Sequence, residues 1–374
     1  MEAEMKKKLI LVFGTRPEAI KMCPLVKELK KRDSFQTVVC VTGQHKEMLE
    51  QVLKSFEIVP DHDLKIMERG QTLFDITEKV LWGMKRIYET EKPDMVLVHG
   101  DTSTAFASAL AAFYENIPVG HVEAGLRTYD IHAPYPEEFN RQAIGSMALL
   151  HFAPTEAAAG HLLKEGKKRE RIFVTGNTAI DALATTVSRS HFSPVLKEID
   201  EWTGGGRLIL LTAHRRENLG KPLYEIFEGI REVLSEHNDL RMVYPVHYNP
   251  IVREAADKVF AGMDRVKLIE PMEVVDFHNL MERSFLILTD SGGIQEEAPA
   301  LGKPVLVLRD TTERPEGMEA GTLRLAGTKK ENIYREFKLL VENHEIYDKM
   351  SQAVNPYGDG TASRQIADIL ERSC

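Results

Sequence analysis

Residues 289–297 read Thr-Asp-Ser-Gly-Gly-Ile-Gln-Glu-Glu and directly follow the apolar run Phe-Leu-Ile-Leu at 285–288. The pattern predicts a buried strand that ends before two glycines, after which a helix begins. Glycines at such a junction let backbone N–H groups converge on an anion, and the positive end of the helix dipole favours a phosphate. Glu296 or Glu297, one turn into the helix, is placed to accept hydrogen bonds from ribose hydroxyls. The stretch therefore predicts a nucleotide diphosphate site, although Ser-Gly-Gly turns also occur in α/β proteins for steric reasons.

The bulk properties are those of a globular protein of two domains. The chain has 374 residues, of which 43% are hydrophobic and 28% charged. Its net charge of −9 argues against nucleic-acid binding, which requires many cationic side chains. Cys23, Cys40 and Cys374 have no metal-ligand spacing and are typical of thiols in a reducing compartment. No run is long enough to span a membrane and no secretory signal is evident, so we expect a cytoplasmic protein without a membrane partner.

Short apolar runs alternate with helical patterns along the chain, which predicts parallel sheets covered by helices on both faces. In the first half the predicted strands are 9–13, 37–42, 95–99, 119–122 and 172–175. In the second half they are 208–212, 242–246, 266–269, 285–289 and 305–308. The fold class is therefore α/β, with two Rossmann-like domains that bind ligand at the carboxyl ends of their strands.

The domain boundaries follow from a break in this alternation. Residues 188–206, which include Pro194 and three consecutive glycines, are the predicted linker. The N-terminal domain is then 1–187 and the C-terminal domain 207–361. A last helix at about 362–374 is expected to pack back onto the N-terminal domain.

Charged side chains follow the first and third predicted strands. Arg16 and Lys21 lie in the helix after the first strand, where they can reach an anion; the alternative is that they are solvated charges. Asp101 follows the third strand, where a carboxylate serves either acid/base chemistry or as the N-cap of the next helix.

Further carboxylates follow the fourth strand. Glu123 comes directly after it, and Glu137 and Glu138 open a later helix, where carboxylates are also common as dipole partners. Three carboxyl sites at one sheet edge suit the removal and return of a proton on opposite faces of a sugar.

The second half collects cations after its strands, in an otherwise acidic chain. His214, Arg215 and Arg216 follow one strand and can neutralise a pyrophosphate. His247 closes the next strand, although a lone histidine is more often structural. Arg314 follows the last strong strand within the motif 309–316. This distribution favours a nucleotide diphosphate ligand.

Several familiar motifs are absent from the sequence. The first strand is not followed by Gly-x-Gly-x-x-Gly, and no Gly-x-x-x-x-Gly-Lys-Ser/Thr occurs. No His/Cys/Asp cluster has the spacing of a metal site. The sequence thus predicts neither a cofactor nor a metal.

Together, the motifs resemble those of the non-hydrolysing UDP-N-acetylglucosamine 2-epimerases from about residue 8 to the C-terminus. The segments that carry the resemblance are FGTRPEAIKM (13–22), VHGDT (98–102), GHVEAGLRT (120–128), HRREN (214–218), TDSGGIQEEA (289–298), RDTTERPE (309–316) and NPYGDG (355–360).

The resemblance implies the glycosyltransferase-B architecture, a homodimer, and reversible epimerisation of UDP-GlcNAc to UDP-ManNAc without a redox cofactor or metal. The C2 proton of the sugar is barely acidic because no carbonyl adjoins it. In the family, UDP therefore leaves to give 2-acetamidoglucal, and re-addition from the other face gives the epimer.

The resemblance also assigns roles to individual residues. The UDP site would be formed by Arg16, Lys21, Phe277, Ser291, Gly292, Gly293, Glu297 and Arg314. The catalytic residues would be Asp101, Glu123, Glu137 and His214, with Glu138 as the alternative to Glu137. Which carboxylate is the base is left open.

Bacterial members of the family bind a second, activating UDP-GlcNAc. Its contacts would be Gln44, His45, Glu137, Arg215 and His247. Two positions depart from some regulated members, with Glu47 in place of glutamine and Gly70 in place of arginine, for which Arg69 is a candidate substitute from the neighbouring position. A sigmoidal dependence of rate on UDP-GlcNAc would support activation, and hyperbolic kinetics in both directions would exclude it.

Three alternatives remain open at this point: a UDP-sugar glycosyltransferase on the same fold, a hydrolysing epimerase, and a non-enzymatic UDP-sugar sensor. The transferase would require an acceptor, and the hydrolysing enzyme would release free ManNAc. A sensor would not need the carboxylates.

Overall fold

The computed structural model describes residues 6–43, 46–68, 70–188 and 190–373, and the chain divides into two compact units. Unit 1 extends to Thr185 and also contains residues from Tyr357 onward, whereas unit 2 contains Thr186–Pro356. Each unit has one parallel sheet with helices between its strands, so the predicted α/β class with two Rossmann-like domains is confirmed. None of the described helices is long and apolar enough to cross a membrane.

Unit 1 contains a seven-stranded sheet in the order β3-β2-β1-β4-β5-β6-β7. Its strands are β1 Lys7–Phe13, β2 Phe35–Val41, β3 His62–Asp63, β4 Met95–His99, β5 Val119–Val122, β6 Leu150–Ala153 and β7 Ile172–Val174. Its helices are α1 Arg16–Lys30, α2 Lys46–Ser55, α3 Leu73–Glu91, α4 Ser103–Tyr114, α5 Glu137–Met147, α6 Glu156–Lys164 and α7 Thr178–Thr186, the last of which reaches the boundary with unit 2.

Unit 2 contains a six-stranded sheet in the order β10-β9-β8-β11-β12-β13. Its strands are β8 Arg207–Thr212, β9 Leu240–Pro245, β10 Val266–Ile269, β11 Leu286–Thr289, β12 Val305–Val307 and β13 Leu323–Leu325. Its helices are α8 Pro194–Thr203, α9 Lys221–Glu236, α10 Pro250–Phe260, α11 Val274–Arg283, α12 Gly292–Ala300, α13 Pro315–Ala320, α14 Lys330–Glu342 and α15 His344–Ser351.

In both sheets the strand order reverses beside the first strand of the unit. β1 lies between β2 and β4, and β8 lies between β9 and β11. Successive helices leave opposite faces of the sheet on either side of such a reversal, and this opens a crevice at the carboxyl ends of the two central strands. The loops after β1, β4, β8 and β11 therefore line the positions where a parallel α/β sheet binds ligand.

After unit 2 the chain returns to unit 1 and ends in α16, Ala362–Ser373. Asp181 accepts hydrogen bonds from the backbone N–H groups of Ala362 (3.2 Å) and Ser363 (2.7 Å) at the start of this helix. Arg32 of α1 pairs with Asp368, with 2.7 Å between Nη2 and Oδ1. These bonds tie α16 to the remainder of unit 1.

The segment predicted as a linker contains helix α8. Ser193 caps it by accepting a hydrogen bond from Leu196 N (3.3 Å), and Gly204, with φ of +58°, ends it in a left-handed conformation. Leu196 and Ile199 are fully buried. An ordered helix that buries apolar side chains thus lies within the predicted linker.

Three strands were not among the predicted ones: β3, β6 and β13. They have only two to four residues each, and β3 and β13 lie at the edges of their sheets. Strands this short contain too few residues to show an apolar pattern in the sequence. They are stabilised by pairing with a neighbouring strand, which the sequence does not reveal.

Candidate functional site

In unit 1, a buried carboxylate organises the turn between β1 and α1. Thr15 is the N-cap of α1, and Glu18 accepts from the backbone N–H groups of Gly14 (3.1 Å) and Thr15 (2.8 Å). The Thr102 hydroxyl, after β4, donates to the same Glu18 carboxylate at 2.7 Å. Burial raises the pKa of Glu18 although these hydrogen bonds oppose the shift. The two central loops of the sheet are thereby joined, with Arg16 as the first residue of α1.

Position 14 requires glycine because the side chains of Thr42 and Thr104 lie directly beside it. A Cβ at this position would be 2.1 Å from Thr42 Oγ1 and 2.7 Å from Thr104 Oγ1. Those two hydroxyls are hydrogen-bonded to each other at 3.0 Å. Any larger residue would push apart the ends of β2 and α4, next to the β1–α1 turn.

Glu123 lies at the centre of the polar groups beyond β5. Lys21 of α1 forms an ion pair with its Oε1, and Asn177 Nδ2 donates to the same oxygen at 3.0 Å. His99 Nε2 is 3.7 Å from Glu123 Oε2. Glu123 has a positive φ of +62°, which is an uncommon conformation for a residue other than glycine. An adjacent ammonium group favours the charged form of this carboxylate.

Asp101 lies after β4 and is held by α5. Arg141 Nε and Nη2 contact its Oδ2 at 2.8 and 2.7 Å, and Asn140 Nδ2 donates to its backbone carbonyl at 2.8 Å. Burial raises the pKa of Asp101; the Arg141 charge opposes this shift and the nearby Glu123 charge reinforces it. The N-cap of α4 is Thr102, whose hydroxyl accepts from Ala105 N at 3.0 Å, so the alternative role of Asp101 as the N-cap is wrong.

Glu138, the alternative to Glu137, anchors a loop. Its carboxylate is fully buried and accepts from the backbone N–H groups of Thr128 (3.0 Å) and Tyr129 (3.1 Å). Gln142 Nε2 donates at 2.9 Å and Arg141 Nη1 at 3.3 Å. The pKa of Glu138 is lowered because these hydrogen bonds outweigh the effect of burial. Glu137 is the first residue of α5 and is only half-buried.

Three buried histidines lie on neighbouring strands below these carboxylates. Burial lowers the pKa of His99 to about 4, of His121 to about 3 and of His151 to about 4. His121 and His151 are register partners on β5 and β6, and the imidazole Nε2 of His121 is 2.7 Å from the carbonyl oxygen of Gly100. All three rings are therefore neutral near pH 7.

These histidines predict a loss of stability in mild acid. Between pH 6.5 and 4 the unfolded chain binds protons that the folded rings exclude, so the free energy of unfolding falls as the pH falls. Each ring contributes a slope of at most about 1.4 kcal/mol per pH unit. We expect His151→Gln to have a shallower decline than the wild type in urea midpoints measured from pH 6.5 to 4. Equal slopes in the two proteins would contradict the prediction.

In unit 2, helix α12 begins directly after β11 with an open N-terminus. Ser291 occupies the N-cap position, and its side chain makes no capping hydrogen bond. A Cβ at Gly292 would lie 3.5 Å from Arg215 Nη2 and 3.6 Å from Arg314 Nη2. Two guanidinium groups thus lie beside backbone N–H groups at the positive end of a helix, an arrangement suited to a phosphate.

Arg314 is held in this position by a buried partner. Its Nε forms an ion pair with Glu296, whose side chain is 3% exposed. Arg314 N donates to Thr312 Oγ1 at 3.1 Å, and the Thr312 hydroxyl donates to Gln295 at 2.6 Å. Of the two glutamates considered for ribose, Glu296 is therefore used to orient Arg314.

Glu297 faces a different group. Its Oε2 is 3.5 Å from His278 Nε2, and the other ring nitrogen of His278 is 2.7 Å from the Thr186 hydroxyl. Gly293 lies beside Glu297, since a Cβ there would be 3.7 Å from its Oε1. Phe277 is half-buried on α11 next to His278, with 6.4 Å between ring centroids. The sequence-predicted ribose and uracil residues thus border the same region of unit 2.

The loop after β8 carries the histidine of the predicted site. His214 and His247 are stacked, with ring centroids 5.2 Å apart and an interplanar angle of 7°. Burial lowers the pKa of His214, an effect that Asp290 opposes and His247 reinforces. Arg215 follows His214 directly, so the loop contributes both an imidazole and a guanidinium.

The sequence predicts none of the contacts that support these groups, although it offers Glu296 as a ribose ligand. Asn177 and Arg141 hold Glu123 and Asp101, while Asp290 and Glu296 hold the His214 loop and Arg314. Asp290 and Glu296 lie inside the quoted motif 289–298, which was a usable signal.

Of the predicted second ligand site, Gln44 and His45 lie outside the described residues. Arg215 and His247 both lie beside His214 in unit 2. Among the residues described, no group of three or more His, Cys, Asp or Glu side chains is arranged to hold a metal ion.

Comparison with known proteins identifies similar chains over nearly the full length. The family model described as UDP-N-acetylglucosamine 2-epimerase matches residues 27–371. The UDP-N-acetylglucosamine 2-epimerase of Bacillus subtilis is 61% identical over 367 residues, which cover 98% of this chain and 96% of the relative.

Solved structures are also similar over nearly the full chain. A putative UDP-N-acetylglucosamine 2-epimerase from Listeria monocytogenes has a TM-score of 0.93 at 54% identity, covering 98% of this chain and 96% of that one. The enzyme from Neisseria meningitidis, solved bound to UDP-GlcNAc, has a TM-score of 0.89 at 48% identity, covering 98% and 100%.

Proposed function

Since the chain belongs to the UDP-N-acetylglucosamine 2-epimerase family, we propose that it interconverts UDP-GlcNAc and UDP-ManNAc by elimination and re-addition of UDP. The observation that carries this proposal is the pair of carboxylates Asp101 and Glu123, each held by its own cation at one end of the sheet of unit 1. Two carboxylates with different environments can divide the tasks of base and acid.

In the elimination, the C1–O bond breaks and its electron pair moves to the β-phosphate oxygen of UDP. The C2–H bond breaks as well, and its electron pair forms the C1–C2 double bond of 2-acetamidoglucal. We assign the C2 proton to Glu123, because its ion pair with Lys21 favours the charged form before the reaction. Asp101 accepts a proton more readily than an exposed aspartate, since burial raises its pKa. It is therefore the candidate acid that returns a proton to the opposite face.

The anion site of unit 2 supports the departure of UDP. Arg215, Arg314 and the open start of α12 provide positive charge for the diphosphate, whose charge increases as the C1–O bond breaks. The position of Arg215 favours a role at this diphosphate over the second ligand site suggested by the resemblance. Glu297 is proposed to bind the ribose and Phe277 to lie near the uracil.

The experiment that tests the function is incubation with UDP-GlcNAc in deuterated water without an acceptor. We expect UDP-ManNAc that carries deuterium at C2. Release of free ManNAc would identify a hydrolysing epimerase, and conversion only with an acceptor would identify a glycosyltransferase. Binding of UDP-GlcNAc without turnover or exchange would identify a sensor.

Glu137 and Glu138 are expected to respond differently to the same substitution. Glu138→Gln loses charge-assisted hydrogen bonds to two backbone N–H groups, so we expect the free energy of unfolding to fall by about 1–3 kcal/mol. Glu137→Gln should leave stability unchanged and reduce kcat, because we propose that Glu137 contacts substrate. Urea unfolding and initial rates on both variants check this. Full activity of Glu137→Gln would remove Glu137 from the catalytic residues.

We also propose a homodimer, supported by an exposed apolar groove on unit 1. Phe74 is 89% exposed, Trp82 60% and Tyr135 65%, and together with Leu73 they line a cavity of about 480 Å³. Contiguous exposed apolar surface of this kind is typical of protein interfaces. We expect Trp82→Arg to shift the mass measured by light scattering from dimer to monomer. As a control, Val354→Arg, at an exposed apolar residue of unit 2 (84%), should remain dimeric. A wild type that is monomeric at all concentrations would contradict the proposal.

A further inference from the structure

Asp290 is a fully buried carboxylate at the end of β11, next to the loop that carries His214. Its backbone N–H donates to Thr212 O at 3.1 Å, which continues the pairing of β11 with β8. Its Oδ2 accepts from the backbone N–H groups of His214 and Arg215, both at 2.8 Å, and from Asn218 Nδ2 at 3.1 Å. One carboxylate oxygen therefore orders the loop.

The other oxygen has a different environment. Asp290 Oδ1 is buried and has no hydrogen-bond partner among the described residues. A candidate donor to this oxygen is His214 Nδ1, at 3.7 Å. That separation is too long for a hydrogen bond, so the imidazole must rotate toward Oδ1 before Nδ1 can donate to it. A buried carboxylate oxygen without a donor costs free energy, which is recovered once Nδ1 carries a proton and donates to it.

The tautomer of His247, which stacks on His214, can be assigned from its hydrogen bond. His247 Nδ1 accepts from the backbone N–H of Asn249 at 3.1 Å, so the proton of its neutral ring is on Nε2. His247 contacts His214 by ring stacking, and its own Nδ1 accepts from Asn249. Asp290 is thus the group positioned to select the tautomer of His214.

We propose that Asp290 is a positioning residue for His214. Its Oδ1 holds a proton on His214 Nδ1, so that Nε2 is the nitrogen presented to the diphosphate. When the anionic diphosphate binds, Nε2 takes up a proton from solvent, so that the imidazolium donates from Nδ1 to Asp290 and from Nε2 to the phosphate. As the C1–O bond breaks, the Nε2 proton is shared with the leaving oxygen, and it returns on re-addition, so no proton is consumed. This inference rests on the proposed function for its kinetic consequence, although the tautomer itself does not depend on it.

Asp290→Asn separates this role from that of ordering the loop. The amide oxygen can still accept from the His214 and Arg215 N–H groups, while its NH2 group replaces Oδ1 and donates toward Nδ1. The result is the wrong tautomer in an intact loop, the logic by which an Asp-to-Asn change in a Ser-His-Asp triad acts. Asn218→Ala is the matched control, because it removes a donor from Oδ2 and leaves Oδ1 unchanged.

The test is a double-mutant cycle of Asp290→Asn with His214→Asn, in the full chain. We expect Asp290→Asn to lower kcat by about 100-fold or more, with a change in the Kd for UDP of less than about threefold. The same change in the His214→Asn background should cost less than about twofold, and Asn218→Ala should lose less than about fivefold. Additive losses in the cycle, or an equal loss in Asn218→Ala, would overturn the proposal in favour of a purely structural role.

A second measurement is independent of turnover. ¹⁵N NMR of the UDP complex should show the His214 proton on Nδ1 in the wild type and loss of that proton in Asp290→Asn. An Nε2-protonated neutral ring in the wild type would overturn the inference. Failure of the wild type to epimerise UDP-GlcNAc would instead overturn the proposed function, since the NMR result would still report the Asp290–His214 interaction.

Discussion

Replacement of Glu123 by Gln is expected to reduce kcat by about 10²–10⁴-fold, the range that general acid/base groups contribute. The amide has the shape of the carboxylate but cannot accept the C2 proton. It also leaves Lys21 without the negative charge that it contacts. Because these residues belong to unit 1 and the proposed UDP contacts are mainly in unit 2, we expect the Kd for UDP to change by less than about threefold.

The measurement is the rate of deuterium entry at C2, compared with UDP titration by calorimetry. Lys21→Met should lower the exchange rate in the same direction, since it removes the cation that favours the charged base. Glu156→Gln, an exposed glutamate in the first turn of α6, is the control and should behave as the wild type. Exchange at the wild-type rate in Glu123→Gln would assign the base to another residue, with Asp101 the next candidate.

Much of this site could be predicted because motif residues follow strands. Arg16, Asp101, His214 and Ser291 all come within a few residues of a strand's end, and their strands are the central pairs β1/β4 and β8/β11. Strand order is not visible in one sequence, since it depends on long-range pairing. The prediction that site residues directly follow strands does not need the strand order, because parallel strands present their carboxyl ends at one edge of the sheet.

The contacts of the supporting residues could not be predicted because they join distant parts of the chain, even where the residue itself, such as Asp290, lies inside a recognised motif. Asn177 lies 54 residues from Glu123, Arg141 lies 40 from Asp101, and Asp290 lies 76 from His214. An Asn or Arg with no local pattern is indistinguishable from a surface residue until the packing is known. The choice between Glu137 and Glu138 is similar, because adjacent helical residues point in different directions and only the fold shows which one is buried.

Helix α8 lies within the predicted linker, although its own sequence has the pattern of a helix. Ser193 followed by Pro194 is a regular N-terminal signal, and Leu196 and Ile199 have the spacing of a helical apolar face. The glycines that follow end the helix. The local pattern is therefore sufficient to predict this helix, although the segment interrupts the alternation of strands and helices.

Removal of Arg314 is expected to have the largest effect on UDP affinity. It lies beside Gly292 at the open start of α12, where a charge-assisted, bidentate contact to a phosphate contributes about 1.5–3 kcal/mol, or roughly 10–150-fold in Kd. Arg314→Lys should recover only part of this affinity, since lysine lacks the planar fork of donors. Calorimetric titration with UDP measures both variants.

Arg314→Ala is also expected to change the stability of the fold, and this effect must be separated from the loss of UDP affinity. Glu296 is almost fully buried, so Arg314→Ala leaves a buried carboxylate without its ion pair, which is destabilising by about 3–5 kcal/mol. Glu296→Gln removes that buried charge. The informative comparison is therefore Glu296→Gln against Glu296→Gln with Arg314→Ala, in which stability should be similar while UDP affinity still falls by at least about tenfold. Equal UDP affinity in those two variants would show that Arg314 acts on the ligand only by holding the fold, and the phosphate contacts would then belong to Arg215 and the helix N-terminus.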